Sequence, residues 1–136
     1  MHKVYGEVYG DKGDCLRACI ASLLEKSADE VPNLAHSGPE RTWLGRVRRY
    51  LKSEGFSLVI VEIPSLVDPR YYPPGANVLV VGKHEVGHKN DHACIYRDGK
   101  LVHDPNTADG YGLTAPATSD MFDVYLIVPL FDGKGR

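Results

Sequence analysis

The stretch that decides the fold of this chain covers residues 92–104 and reads HACIYRDGKLVHD. Apolar, aromatic and β-branched residues stand on both sides of Asp98-Gly99, a dipeptide that strongly favours a two-residue hairpin turn. We therefore predict two neighbouring antiparallel strands, with His92 at the beginning of the first and Asp104 at the end of the second. With about five residues on each side of the turn, both side chains can face the same end of the sheet.

Helix-like segments precede this hairpin, and further strand-like segments surround it. Helices are predicted from Asp14 or Cys15 to about Lys26 and from Pro39 to about Ser53, with a short helical turn between them that Pro32 ends. Apolar runs predict the other strands, at residues 57–63, 77–81 and 124–130. This order predicts an α+β fold in which the N-terminal helices pack on a mostly antiparallel sheet of about five strands. The 136 residues are predicted to form a single domain, residues 1–136.

Composition and charge exclude several classes of protein. Hydrophobic residues make up 43% of the chain and charged residues 25%, which is typical of a globular domain. Sixteen Lys and Arg against 18 Asp and Glu give a net charge of -2, which disfavours a nucleic-acid partner. No apolar run approaches the ~18 residues of a membrane span, and the N-terminus lacks the apolar region of a secretory signal. We therefore expect no nucleic acid and no membrane as partner, and a cytoplasmic location; the oligomeric state stays open.

The three cysteines are too few for a disulfide scaffold and indicate free thiols in a reducing compartment. Cys15 opens the first predicted helix directly after Asp14, the expected N-cap. A thiol at a helix N-terminus feels the positive end of the helix dipole, which favours the thiolate. Cys19 lies one turn later on an apolar face and Cys94 lies inside a strand, so both are expected to be core residues. Cys15 is therefore the predicted reactive thiol.

Cys15, His92 and Asp104 together predict nucleophilic catalysis. A histidine within hydrogen-bond reach of a thiol can hold its proton as base and later return it to the leaving group. A carboxylate bonded to the other imidazole nitrogen fixes the tautomer and stabilises the imidazolium. The predicted catalytic residues are thus Cys15 as nucleophile, His92 as base and acid, and Asp104 as orienting acid. His103 is expected to point to the opposite face of its strand and is the weaker candidate.

The same residues resemble the papain-like cysteine peptidases. Residues 13–24, GDCLRACIASLL, are similar to the active-site helix of that superfamily, in particular of the double-glycine peptidases that trim bacteriocin leaders. The closing His-Asp-Pro triplet, residues 103–105, and the Val-Pro turn at 31–32 resemble small free-standing bacterial and phage members still more closely. The resemblance covers roughly residues 13–113, and the order of Cys, His and Asp matches. It implies a papain-like fold and cleavage of a peptide, isopeptide or amide bond in a peptide or protein substrate, with no cofactor and no metal.

One departure from that family concerns the oxyanion hole. The family usually carries a Gln about six residues before the Cys, whereas this chain contains no Gln and has Tyr9 at that position. The backbone N–H of Cys15 can supply one donor, and Tyr9, Lys12 or Asn90 are candidates for another. Loss of one donor typically costs about 10²–10³ in rate. A catalytically weak or inactive peptide-binding module of the same fold therefore stays open, as does an acyltransferase.

A rival motif stands just before the hairpin. His84-Glu85-Val86-Gly87-His88 fits the H-E-x-x-H pattern of zinc peptidases, which needs both histidines on one face of a helix. The strand before the motif, Gly87 inside it and the polar residues after it indicate a loop instead. A zinc-dependent hydrolase that uses His84, Glu85 and His88 is therefore the less favoured alternative.

Other polar and aromatic groups are assigned no chemistry. The basic side chains of the second helix are predicted to form a solvated face, namely Arg46, Arg48, Arg49 and Lys52. Tyr71 and Tyr72 either wall a peptide groove or cover the core. Residues 106–112 are predicted to form a loop beside Asp104, and the side chains of His2 and His36 are expected to be exposed.

Overall fold

The described part of the chain contains two α-helices, six β-strands and two short 3₁₀-helices, Ala28–Glu30 and Pro69–Tyr71. The structure is a computed structural model that describes residues 1–6, 14–34, 42–83, 91–106, 110, 112–116 and 120–130. The helices are α1, Cys15–Leu24, and α2, Trp43–Ser53. The strands are β1, Phe56–Ile63; β2, Val78–Lys83; β3, His92–Arg97; β4, Lys100–His103; β5, Ala115–Pro116; and β6, Phe122–Pro129. The predicted α+β class with N-terminal helices is confirmed.

All six strands belong to one sheet in the order β1-β6-β2-β3-β4, with β5 paired to β2. Every pairing among the described strands is antiparallel. The β3–β4 hairpin turns at Asp98 and Gly99, whose φ angles of 51° and 80° suit a two-residue type I′ turn. The predicted hairpin is confirmed. Strand β5 was not predicted, because two residues are too few to show an alternating pattern.

A β-bulge interrupts the pairing of β3 with β4. Ile95 pairs with His103, whereas Tyr96 pairs with Leu101, so β4 carries one extra residue, Val102. Because side chains alternate along a strand, one extra residue in β4 moves each side chain beyond it to the opposite face of the sheet. Asp104 follows this bulge directly.

Apolar side chains cover both faces of the sheet. The helical face is filled by residues of α1, α2 and the strands beneath them, including Cys19, Ile20, Leu51, Ala93 and Ile95. The opposite face is packed with Tyr72, Val80, Cys94, Tyr96 and Val124. Burial on both faces explains why β2 and β3 read as continuous apolar runs and not as alternating ones.

The helix boundaries agree with the prediction except at the start of α2. Asp14 is the N-cap of α1, although its side chain makes no capping hydrogen bond. Thr42 caps α2, and its hydroxyl oxygen accepts a hydrogen bond from the amide of Gly45 at 3.1 Å. α2 therefore begins at Trp43, and the predicted start at Pro39 lies outside the described residues. Neither described α-helix is long and apolar enough to cross a membrane.

The basic face of α2 is only partly solvated. The half-buried side chain of Arg46 donates a hydrogen bond to the carbonyl oxygen of Leu34, and Arg48 donates to that of Leu58 at 2.9 Å. Arg48, Arg49 and Lys52 are exposed, as predicted. Two of the four basic residues thus also hold the helix to its neighbours.

Candidate active site

A histidine and a carboxylate meet at one edge of the sheet. His92 is the first residue of β3, and Asp104 comes directly after the last residue of β4. The Nε2 atom of His92 donates a hydrogen bond to Oδ1 of Asp104 at 2.9 Å. His92 is only 5% exposed and Asp104 only 3%. The structure therefore brings this predicted pair together, away from water, where such a hydrogen bond is strong.

Backbone amides hold the carboxylate of Asp104 in place. The N–H of Asn106 donates to its Oδ1 atom at 3.0 Å, and the N–H of Gly112 donates to its Oδ2 atom at 3.1 Å. The hydroxyl oxygen of Tyr96 accepts a hydrogen bond from the N–H of Leu113 at 2.9 Å and so fixes the segment that carries Gly112. The loop predicted beside Asp104 thus orients its carboxylate toward the imidazole.

Cys15 is the third member of the group that His92 and Asp104 form. It is the first residue of α1, and its sulfur is one of the groups whose hydrogen bonds raise the pKa of the His92 imidazole. Its side chain is half-buried, whereas Cys19 and Cys94 are fully buried. The three predicted site residues therefore lie together, and Cys15 is the cysteine that is not fully buried.

The electrostatics of the pair favour an ion pair. Burial by itself lowers the pKa of His92, but hydrogen bonds with Asp104, Cys15 and Cys94 outweigh it and raise the pKa above its ordinary range. Burial by itself raises the pKa of Asp104, but the hydrogen bonds from His92 and from the amide of Asn106 lower it below its ordinary range. Imidazolium and carboxylate are therefore the forms present at neutral pH. The positive imidazolium stabilises negative charge that develops on a neighbouring sulfur.

Cys19 aligns the helix of the nucleophile with the strand of the histidine. Its thiol donates a hydrogen bond to the carbonyl oxygen of Ala93 at 3.4 Å, and its side chain is fully buried. Burial raises the pKa of this thiol, which keeps it neutral. Cys19 is thus the core residue that we predicted. Its hydrogen bond also links α1 to Ala93, the residue that follows His92 in β3.

The first six residues connect α1 with the end of β4. The N–H of Val4 donates to the hydroxyl of Ser22 at 2.8 Å, and the carbonyl oxygen of Val4 accepts from Nε2 of His103 at 2.6 Å. The N–H of Gly6 donates to the carbonyl oxygen of Pro105 at 2.7 Å. His103 thus points away from the site, as predicted. Nothing in the sequence indicated that residues 1–6 form this link.

Cys94 lies closer to His92 and Asp104 than its predicted role as a core residue implies. One possible ligand atom from each of His92, Cys94 and Asp104 lies within 4.8 Å of the other two. Burial raises the pKa of Cys94 to about 11. The prediction that Cys94 is buried in the sheet is confirmed, but its proximity to the pair was missed. The signal was available, because residues two apart in a strand face the same side.

The remaining candidates are either outside the described part or serve the core. The candidate second oxyanion donors, the H-E-x-x-H motif and one histidine lie outside the described residues, namely Tyr9, Lys12, Asn90, residues 84–88 and His36. The hydroxyl of the buried Tyr72 donates to the carbonyl oxygen of Leu66 at 2.6 Å, so this ring covers the core, whereas Tyr71 is exposed. His2 is exposed, as expected, and its Nε2 atom hydrogen-bonds to the carbonyl oxygen of Lys26.

Comparison of the chain with protein-family models, curated proteins and solved structures finds no match. The function of the site is therefore inferred from its own geometry.

Proposed function

We propose that this protein is a cysteine hydrolase that cleaves a peptide, isopeptide or amide bond through an acyl-enzyme on Cys15. One observation carries the proposal. Cys15, the half-buried first residue of α1, raises the pKa of the imidazole of His92 by a hydrogen bond, and Nε2 of that imidazole is held by the buried carboxylate of Asp104. Nucleophile, base and orienting acid are the three groups that acyl transfer requires.

The reaction proceeds in two halves. In the first, the sulfur of Cys15, whose proton His92 holds, attacks the carbonyl carbon, a C–S bond forms, and the carbonyl electron pair moves to oxygen. The C–N bond then breaks as the imidazolium of His92 gives its proton to the leaving amine. In the second half, His92 takes a proton from water, which attacks the acyl carbon, and the C–S bond breaks to release the acid. Asp104 stays ionised throughout and keeps the imidazole oriented.

The position of Cys15 supports stabilisation of the oxyanion. The first amides of α1 have no partner within the helix, and the positive end of the helix dipole lies at the same place. The backbone N–H of Cys15 is one such donor. A developing oxyanion near the sulfur therefore meets at least one preorganised donor.

The order of the elements supports a papain-like arrangement. A helix that begins with the nucleophile packs on an antiparallel sheet, and His92 and Asp104 follow on adjacent strands. The substrate in this proposal is a peptide or protein, and the chemistry needs no cofactor. Three free cysteines support a reducing compartment such as the cytoplasm.

Selective alkylation tests the nucleophile. We expect iodoacetamide at neutral pH to modify Cys15 in the folded protein well before Cys19 or Cys94, as read by peptide mass spectrometry. The variant His92→Gln should slow this modification, and His2→Gln, the same change at an exposed histidine, is the matched control that should leave it unchanged. The assignment is wrong if Cys15 stays unmodified in the folded protein, or if His92→Gln reacts as fast as the wild type.

Turnover in isotopic water tests the reaction type. The protein is incubated with a mixture of peptides in ¹⁸O-labelled water, and Cys15→Ser serves as the inactive control. Hydrolysis places ¹⁸O in the new carboxyl group of each product. Transfer to an added amine identifies an acyltransferase instead, and peptide binding without any product identifies a binding module. Either of these last two results would overturn the proposed hydrolase.

A further inference from the structure

The described part of the chain contains a cluster of nitrogen, sulfur and oxygen donors that the proposed reaction uses only in part. A ring nitrogen of His92, the sulfur of Cys94 and a carboxylate oxygen of Asp104 all lie within 4.8 Å of one another. All three residues are buried, and Cys94 is 0% exposed. The hydrolase proposed above assigns no role to Cys94.

We propose that His92, Cys94 and Asp104 bind a thiophilic divalent cation such as Zn²⁺, and that the bound cation switches the hydrolase off. Imidazole nitrogen, thiolate sulfur and carboxylate oxygen are the three ligand types that zinc takes from proteins. The thiolate in the set favours zinc or cobalt over magnesium or calcium, which prefer oxygen ligands. The binding does not depend on the proposed function, whereas the inhibition rests on it.

The distances between the three ligand atoms are close to those around a tetrahedral ion. Zinc bonds of about 2.0–2.1 Å to nitrogen, 2.0–2.2 Å to oxygen and 2.3 Å to sulfur place tetrahedral ligand atoms about 3.3–3.6 Å apart. Nε2 of His92 and Oδ1 of Asp104 now lie 2.9 Å apart, and no pair of possible ligand atoms exceeds 4.8 Å. Side-chain shifts of about 1 Å therefore suffice, with no change in the strand pairing.

Charge balance makes a buried cation acceptable at this place. A thiolate from Cys94 and the carboxylate of Asp104 together carry two negative charges, which neutralise a divalent ion. A buried charge is tolerated when it is paired and its ligands keep their hydrogen bonds. The amides of Asn106 and Gly112 donate to Asp104 and would orient it toward the ion as they now orient it toward the imidazole. A water molecule would take the fourth position.

Occupation of this site would prevent proton transfer. His92 binds a cation as neutral imidazole and Cys94 as thiolate, so two protons leave to the solvent on binding. With Nε2 bonded to the ion, the other ring nitrogen keeps the last proton of the ring, so His92 can neither take up nor release a proton during the reaction, and the imidazolium that stabilises the sulfur of Cys15 is gone. The cation would thus inhibit by removing the acid and base, without covering the sulfur.

Cobalt is the probe that reports the ligands directly. We expect Co²⁺, added to the reduced, metal-free protein, to produce a thiolate-to-cobalt charge-transfer band together with the intense visible bands of tetrahedral cobalt. Zn²⁺ should displace it, since zinc binds such sites more tightly. The variant Cys94→Ala should lose the charge-transfer band and bind at least about 100-fold more weakly, because loss of even an outer partner costs 10–100-fold. Cys19→Ala, which also removes a fully buried thiol, is the matched control and should keep the band.

The variant Cys15→Ser separates this inference from the proposed hydrolase. It cannot form an acyl-enzyme, yet it should keep a thiolate-to-cobalt band from Cys94. The metal site is refuted if the wild type gives no such band, if Cys94→Ala keeps it, or if Cys15→Ser alone abolishes it. His92→Gln should also lose the visible bands of tetrahedral cobalt. This second ligand variant keeps the test valid if Cys94→Ala does not fold. If the wild type gives the thiolate-to-cobalt band but iodoacetamide does not modify Cys15, the metal site is supported and the proposed hydrolase is refuted.

Discussion

The hydrogen bond between Nε2 of His92 and Oδ1 of Asp104, 2.9 Å long, depends on an irregular strand pairing. Counting outward from the Asp98-Gly99 turn in a regular hairpin would place Cys94 opposite His103, on the face that His92 shares. The bulge at Val102 moves the register by one residue, so Ile95 pairs with His103 instead. Asp104 therefore takes the place beside His92, and His103 turns to the other face.

Removal of the charge on Asp104 should disable the site. In Asp104→Asn the side chain keeps its shape but no longer stabilises the imidazolium, so we expect hydrolysis to fall by up to about 10⁴-fold and alkylation of Cys15 to slow. Steady-state rates and the iodoacetamide reaction measure this effect. Asp29→Asn, a change at an exposed carboxylate, should match the wild type. Equal rates for Asp104→Asn and the wild type would remove Asp104 from the reaction.

Gly112 should be far less replaceable than Gly75, although both have positive φ, +77° and +72°. Alanine in the left-handed region costs about 1–2 kcal/mol at either position. A Cβ at Gly75 meets nothing within 4 Å, whereas a Cβ at Gly112 would collide with the hydroxyl of Tyr96. We therefore expect Gly112→Ala to lower the free energy of unfolding by more than Gly75→Ala does, as measured by denaturant titration. Only Gly112→Ala should also slow alkylation of Cys15, because it moves an amide that holds Asp104; equal losses for the two variants would contradict this account.

Acid should destabilise the protein partly through His103. Burial lowers the pKa of His103, and Lys3 lowers it further, against the opposing hydrogen bond to the carbonyl of Val4. The unfolded chain, with an ordinary pKa of about 6.5, binds this proton first, so stability falls as the pH drops below that value. His103→Gln keeps an N–H donor for Val4 but does not titrate. The wild type should therefore gain stability relative to this variant from about pH 5 to about pH 8 in denaturant titrations, and parallel curves would refute the assignment.

The start of α2 can be tested at its cap. Thr42→Ala removes the acceptor for the amide of Gly45, and we expect a loss of about 0.5–2 kcal/mol in the free energy of unfolding. Thr42→Ser keeps the hydroxyl and should restore most of it. Thermal or denaturant unfolding measures both variants. If Thr42→Ala is as stable as the wild type, the helix begins elsewhere.

Much of the fold could be predicted because its signals are local. The Asp98-Gly99 turn, the cap position of Asp14 and the apolar runs of the strands each lie within a few residues. The boundary at Thr42 was missed because Pro39 is also a helix-start signal. Only the hydrogen bond from the amide of Gly45 to the hydroxyl of Thr42 identifies Thr42 as the cap. Strand β5 was missed because its two residues are held only by pairing with β2.

The candidate site was predictable in its members but not in its surroundings. Cys15, His92 and Asp104 follow from a helix start and a hairpin, which are short-range features. The hydrogen bond from Tyr96 to the segment after Asp104, and the link of residues 1–6 to Pro105, join residues that are distant in the sequence. No local pattern reports such contacts.

The sequence by itself determined that a thiol opens a helix and that a histidine and an aspartate stand on paired strands, because turn chemistry and periodicity act over a few residues. The choice of Asp104 over His103 was predicted, but only the tertiary structure shows what places Asp104 beside His92, namely one extra residue at Val102 that exchanges the two faces. It also placed Cys94 beside them, where a buried thiol becomes a possible ligand. Alternation of side chains along a strand is a local property. Which of them share a face with a given residue of the neighbouring strand depends on the register of the whole hairpin.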